Sequence, residues 1–151
     1  MSKHRAGVIW KRASKDFRYE TYNRAHEMIF KNGAVRLAAS SAPAFRGDAG
    51  LVDPEEAYVA ALSSCHMLSF LAICARKRIT VDSYEDEAVG NLEKAPDGRL
   101  WLARVSLQPL VRFAADSRPG GEALVAIHHQ AHRECFIANS VKTDVTVMPR
   151  L

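Results

Sequence analysis

The chain has 151 residues, 48% hydrophobic and 25% charged, a balance that suits a soluble globular fold with a sizeable core. Its 21 Lys and Arg are interspersed with 17 Asp and Glu for a formal charge of +4, without a basic arm, which argues against nucleic acid or a membrane surface as a partner. No linker, repeat or low-complexity segment breaks the chain, so a single domain over residues 1–151 is expected.

The opening MSKHRAGVIWKR returns to charge after a few apolar residues and does not read as a secretory signal, so a cytoplasmic protein is expected. Residues 5–40 read as an antiparallel meander of four strands, RAGVIW, FRYETYN, HEMIF and AVRLAAS, with KNG at 31–33 as a turn. SAPAFRGDAGL at 41–51 carries Pro43, Gly47 and Gly50 and predicts an irregular loop. Asp53 as cap, Pro54 at the first helical position and Glu56 closing a capping box then predict a helix running to about residue 78.

From Ala57 to Ala75 that helix has no Lys, Arg, Asp or Glu, and Arg76, Lys77 and Arg78 follow, a pattern close to a membrane span. Three serines, a histidine, two cysteines and many alanines make a buried central helix the better reading. ITVDSYEDEAVGNLEK and RLWLARVSLQPLVRF flank the turn APDG and predict a hairpin, with Trp101 in the core or on a sheet face. After SRPGG, EALVAIHHQAHREC predicts a second helix and KTDVTVMP a final strand. Strands, long helix, hairpin, helix, strand is an α+β order and not a βαβ order.

Cys65, Cys74 and Cys135 lie outside any CxxC spacing, and three thiols cannot all pair within one chain. Nine helical residues at about 100° each place Cys74 opposite Cys65, so Cys74 reads as a small core residue. Cys65 shares its face with Ala61, Leu62, Leu68, Ser69 and Ala72, small and apolar, where simple packing also accounts for a cysteine. Cys135, in AHRECFIANS, ends the second helix with His132 one turn and His128 two turns earlier. Two chemistries stay open on these residues: a metal site of His128, His132 and Cys135 with Cys65 or His66 as fourth ligand, or a thiol pair with Cys65 attacking and Cys135 resolving.

DPEEAYVAALSSCHM at 53–67 and AHRECFIANSVKTDVTV at 131–147 resemble the OsmC/Ohr family, osmotically inducible protein C and the organic hydroperoxide resistance proteins. The resemblance implies an intertwined α+β homodimer and a peroxidase that reduces organic hydroperoxides with two cysteines, no metal and no other cofactor. An external dithiol, of dihydrolipoyl type or another, would regenerate it. By the same resemblance Cys65 is the peroxidatic cysteine, Cys135 the resolving one, and Glu55 the carboxylate that orients an arginine. Arg24 in YNRAHE is preferred for that arginine, by its distance before KNGAVRLAASS, with Arg46 in FRGD the competitor. His66 and Phe136 depart from the phenylalanine and proline usual in organic hydroperoxide resistance proteins, which points to an OsmC-like branch. A non-catalytic dimeric module holding an apolar ligand is a further reading.

The thiolate chemistry asks for a fixed cation beside Cys65, which the arginine would supply. Ten helical residues separate Glu55 from Cys65, about 15 Å in a continuous helix. Either the helix breaks near Ser63 and Ser64, or a partner subunit supplies the arginine and glutamate.

Overall fold

The structure, a computed structural model, describes residues 1–150. It divides into two compact units, Met1–Ala57 and Tyr58–Leu151, with the boundary inside the long helix α1 (Pro54–Arg76).

The first unit is a three-stranded antiparallel sheet of β1 (Ala6–Ile9), β2 (His26–Phe30) and β3 (Val35–Ala39), in that order. The KNG turn is present as a 3₁₀ turn whose Lys31, Asn32 and Gly33 all take positive φ, a conformation that asparagine and glycine tolerate best. The expected strand FRYETYN does not form. Local side-chain bonds replace the ladder there: Asn23 Nδ2 donates to the Lys11 carbonyl, Asn23 Oδ1 accepts from Ala13 N–H, and Asp16 accepts from Thr21 and Arg18. The aromatic residues that suggested a strand pack on one another instead, Trp10 and Phe17 at 5.8 Å and Phe17 and Tyr22 at 5.3 Å between centroids. The irregular 41–51 loop is as expected, and Gly47 is required in it because a Cβ there would lie 1.4 Å from the Ser41 carbonyl oxygen.

Helix α1 begins on the predicted capping box. Asp53 Oδ1 accepts from Glu56 N–H at 2.8 Å, and Glu56 Oε2 accepts from Asp53 N–H at 3.2 Å. The helix ends in a Schellman turn, with Arg78 at φ 59° and the Ile79 N–H bonded to the Cys74 carbonyl. Between these ends it is unbroken. Ser63, one of the two serines suspected of interrupting it, donates its hydroxyl to Asp86 and leaves the helix ladder intact.

The predicted hairpin is there, but divided into β4 (Val81–Asp86) with β7 (Pro109–Phe113), and β5 (Val89–Lys94) with β6 (Leu100–Leu107). The break falls at Glu87 and Gln108, where Asp86 accepts from the Gln108 N–H at 2.6 Å and Pro109 has no N–H to continue a ladder. Trp101, 40% exposed, lies on the sheet face and not in the core. Helix α2 (Gly121–Glu134) follows, and β8 (Asp144–Val147) returns beside β6 in parallel, a pairing that needs a long crossover.

Each half of α1 covers a different sheet of the second unit. Phe70, Ile73 and Cys74 pack with Leu124, Ile127 and Ala131 of α2 above β4 and β7. Leu62 packs with Val105 and Leu107 above β5, β6 and β8, where Gly90 lets the helix approach because a Cβ would meet Val59 at 2.5 Å. The helix is central as expected, but only Leu62, His66, Phe70, Ile73 and Cys74 are buried along it. Ala61, Ser64, Leu68 and Ala72 remain exposed. By length and composition α1 could cross a membrane, yet its buried stripe is spent on α2 and the sheets.

Removing one half of the capping box isolates its contribution. Asp53→Ala is expected to lower unfolding free energy by about 1 kcal/mol, and Asp53→Asn by much less, both read from urea unfolding curves.

Candidate functional site

The two helices bring together two cysteines that are 70 positions apart in the chain. Cys65 lies half-buried in the middle of α1, and Cys135 caps the C-terminus of α2, with its N–H bonded to the His132 carbonyl. The Cys65 side chain lies close enough to Cys135 to act on its ionisation. Cys135 is 1% exposed, and burial, followed by the Cys65 contact, pushes its thiol up to about 11, only partly offset by the Ala138 N–H that donates to its sulfur at 3.4 Å. At neutral pH Cys135 is therefore held as the thiol. Cys74 is buried in the core cluster, as its opposite helical phase predicted.

The apolar face expected around Cys65 is not closed over within one chain. Leu62 is fully buried beneath it, whereas Leu68 is 61% exposed and Ala61 and Ala72 also face outward. Phe136, following Cys135, is 82% exposed.

Beside the thiols lie His66 and His128, which the sequence grouped only as alternative members of a metal ligand set and which the structure places together as a pair. His66 and His128 are 1% and 3% exposed, with ring planes nearly parallel at 4° and His66 Nε2 and His128 Nδ1 3.1 Å apart. Phe70 stacks on His128 at 4.3 Å. Burial depresses both histidines to about 4, so both are neutral at pH 7. His66 Nδ1, His128 Nε2 and His132 Nδ1 are buried without a partner among the described residues. The signal was present: His66 falls in the stripe Leu62, Phe70, Ile73, Cys74, and His128 in the stripe Leu124, Ile127, Ala131, Cys135, so each histidine sits on a buried helix face.

In the first unit, Arg24 is anchored by backbone. Its guanidinium donates to the carbonyls of Tyr22, at 2.5 Å, and Tyr19, and stacks on the Tyr22 ring 3.6 Å from the centroid. Its Nε is buried without a partner and the residue lines a cavity of about 410 Å³ whose other walls include Val8, Trp10, Phe17 and Tyr22. Pro54, at the start of α1, lines the same cavity. Arg46 is exposed, 5.8 Å from the Tyr19 ring centroid, and lines no part of that cavity. Glu55 is half-buried and forms no ion pair with Arg24 among the described residues. The aromatic residues around Arg24 were read as strand positions, so their role as cavity walls was missed.

His128 and His132 line one cavity, while the Cys135 sulfur faces Cys65 and Ala138. Among the described residues no group of three or more His, Cys, Asp or Glu side chains converges to hold a metal ion. The metal reading therefore has no assembled ligand set behind it.

A model of OsmC-like proteins matches residues 47–149. The chain belongs to the OsmC-like family. An OsmC-like protein of unknown function from Vibrio cholerae is 46% identical, with 99% of this chain and 100% of that one covered and a TM-score of 0.93. An organic hydroperoxide resistance protein OsmC from Legionella pneumophila, 16% identical over 100% of this chain and 98% of that one, has a TM-score of 0.76. The organic hydroperoxide resistance protein OhrB of Bacillus subtilis is 16% identical over 99% and 98%, with a TM-score of 0.68. These last two show the shared fold. Comparison with curated protein sequences finds no match.

The OsmC-like fold here carries two neutral histidines in its core, which makes its stability pH-dependent. Their folded values lie below the ordinary 6.5, so the unfolded chain binds more protons as pH falls. The contribution of this pair is complete above pH 6.5 and declines as pH drops from there towards about 4, by about 3 kcal/mol for the first proton taken up. Urea unfolding at pH 7, 5.5 and 4.5 is expected to show this decline, and the double variant His66→Phe, His128→Phe to show much less of it.

Proposed function

We propose that the protein is a thiol-dependent peroxidase for organic hydroperoxides, acting as a homodimer in the cytoplasm. The observation that carries this reading is the contact of Cys65 with Cys135, one thiol half-exposed and the other buried and protonated. Family membership and the fold shared with organic hydroperoxide resistance proteins support it.

The unequal environments order the steps. Cys65, the accessible thiol, attacks the terminal oxygen of ROOH as thiolate. The O–O bond breaks, the alkoxide takes a proton and leaves as ROH, and Cys65 is left as sulfenic acid. Cys135 then displaces the hydroxyl, giving water and the Cys65–Cys135 disulfide, its sulfur already seated beside the reacting atom. An external dithiol reduces the disulfide and returns both thiols.

The thiolate and departing oxygen need a cation. Because α1 is continuous, Glu55 lies about 15 Å from Cys65 along the same helix. The reading therefore takes Arg24 of the partner subunit and Glu55 of the partner subunit to the Cys65 site, covering the exposed face of α1. Arg24 suits the role through its unpartnered buried Nε and the apolar cavity beside it, which would take the organic group of the substrate.

One equivalent of an organic hydroperoxide is expected to link Cys65 to Cys135 and leave Cys74 reduced, as read by peptide mapping. Cys135→Ser should consume one peroxide and stop at sulfenic acid, whereas Cys65→Ser should not react. A principal disulfide containing Cys74 would reject the assignment.

Arg24→Lys keeps the charge but loses the fork, and should slow peroxide consumption about 100- to 1,000-fold. Arg46→Lys should change it little. Mixed dimers of a Cys65→Ser chain with an Arg24→Lys chain should recover activity at one site in two, because one site then has both an intact cysteine and an intact arginine. Verified mixed dimers without recovery would place both groups in one chain.

A further inference from the structure

Outside the thiol site, the second unit contains a cavity of about 560 Å³ that the peroxidase reading does not use. It opens between β7, the first turns of α2 and the C-terminal stretch at Pro149 and Arg150. Its lining is divided by chemistry. Leu110, Phe113 and Leu124 give it an apolar side, and three arginines, Arg112, Arg118 and Arg150, line it with a single acidic residue, Asp82.

The arginines are not consumed by the fold. Arg150 donates Nε to the Gln108 carbonyl at 2.8 Å and has a loose pair with Glu87 at 3.3 Å. Arg112 and Arg118 form no ion pair among the described residues, so two forks are available for an anion. His128 also lines this cavity and is 3% exposed, with Nε2 buried and unpartnered. A buried imidazole nitrogen without a partner is costly, and a ligand atom in the cavity would relieve that cost.

We propose that this cavity binds a monocarboxylate with an apolar body of medium-chain size. Arg112 and Arg118 take the carboxylate, Leu110, Phe113 and Leu124 take the chain, and His128 Nε2–H donates to a carboxylate oxygen left free by the arginines. The last contact fixes the histidine pair in one tautomeric state. With a proton on His128 Nε2, the neutral ring leaves Nδ1 bare, and Nδ1 accepts from His66 Nε2–H across the 3.1 Å contact. The ligand would thereby set the proton positions of a histidine that follows Cys65 directly in α1. The proposal does not depend on peroxidase activity, because both its groups and its test are separate from the thiols.

The test is calorimetric titration of the full chain with sodium octanoate, with octanol and inorganic phosphate as controls. Octanoate is expected to bind one per chain, with octanol and phosphate each at least tenfold weaker. Arg112→Gln and Arg118→Gln, both at exposed positions, should each weaken octanoate about 10- to 100-fold while leaving unfolding curves and thiol counts unchanged. Nitrogen-15 spectra of labelled histidine should show octanoate driving His128 to the Nε2–H form, a change absent in Arg112→Gln. Absence of saturable octanoate binding overturns the proposal. So does equal binding of octanol, which would mean that the arginines do not read charge, or equal binding of phosphate, which would mean that the apolar walls contribute nothing.

Discussion

The packing of the α1 stripe against the α2 stripe is the constraint on which the functional features of the second unit rest. Leu62, His66, Phe70, Ile73 and Cys74 on one helix, and Leu124, Ile127, His128, Ala131 and Cys135 on the other, are the positions buried along them. Each large apolar member contributes about 1.5–3 kcal/mol by burial, so the register of this contact is fixed by several side chains at once. A slip of either helix by one turn would separate Cys65 from Cys135 and His66 from His128 together. The thiol contact is therefore held by core packing rather than by any bond between the sulfurs.

That same packing satisfies one side of α1 only. The helix carries no charge from Ala57 to Ala75, yet Ala61, Leu68 and Ala72 face outward. An uncharged, partly apolar helix face of this length calls for a cover. A second copy is the cover most consistent with the proposed chemistry, because the continuous helix keeps Glu55 too far along the axis to reach its own Cys65. On the proposed reading, burial and catalysis would therefore make the same demand on the assembly.

How much of this could be read from sequence depended on whether the signal was local. The Asp53, Pro54, Glu56 helix start was legible because a capping box is satisfied within four residues. The phase separating Cys74 from Cys65 needed only helical geometry. FRYETYN misled because aromatic content favours a strand, whereas Asn23 and Asp16 satisfy the backbone locally and the rings cluster around Arg24. The hairpin was legible as one ribbon, but not its division at Gln108 and Pro109, which depends on Asp86 reaching the Gln108 N–H from the opposite strand. His66 and His128 were each visible on an apolar stripe and were grouped as possible ligands of one metal, but their direct pairing across 62 positions is a tertiary fact.

The histidine pair also bears on why the thiols can differ so much within one contact. A charged imidazolium beside Cys135 would stabilise its thiolate and make it compete with Cys65 for peroxide. Burial keeps His66 and His128 neutral, so neither supplies that charge. The C-terminal pole of α2, where Cys135 sits, also disfavours negative charge. On the proposed peroxidase reading, Cys135 stays protonated until an electrophilic sulfur stands next to it, and the cation that activates Cys65 comes from a group directed at Cys65 alone. A phenylalanine at position 66 would likewise bring no charge to either thiol. What a histidine adds there is a hydrogen-bonded path from the α1 core to His128 and so to the arginine-lined cavity beyond it.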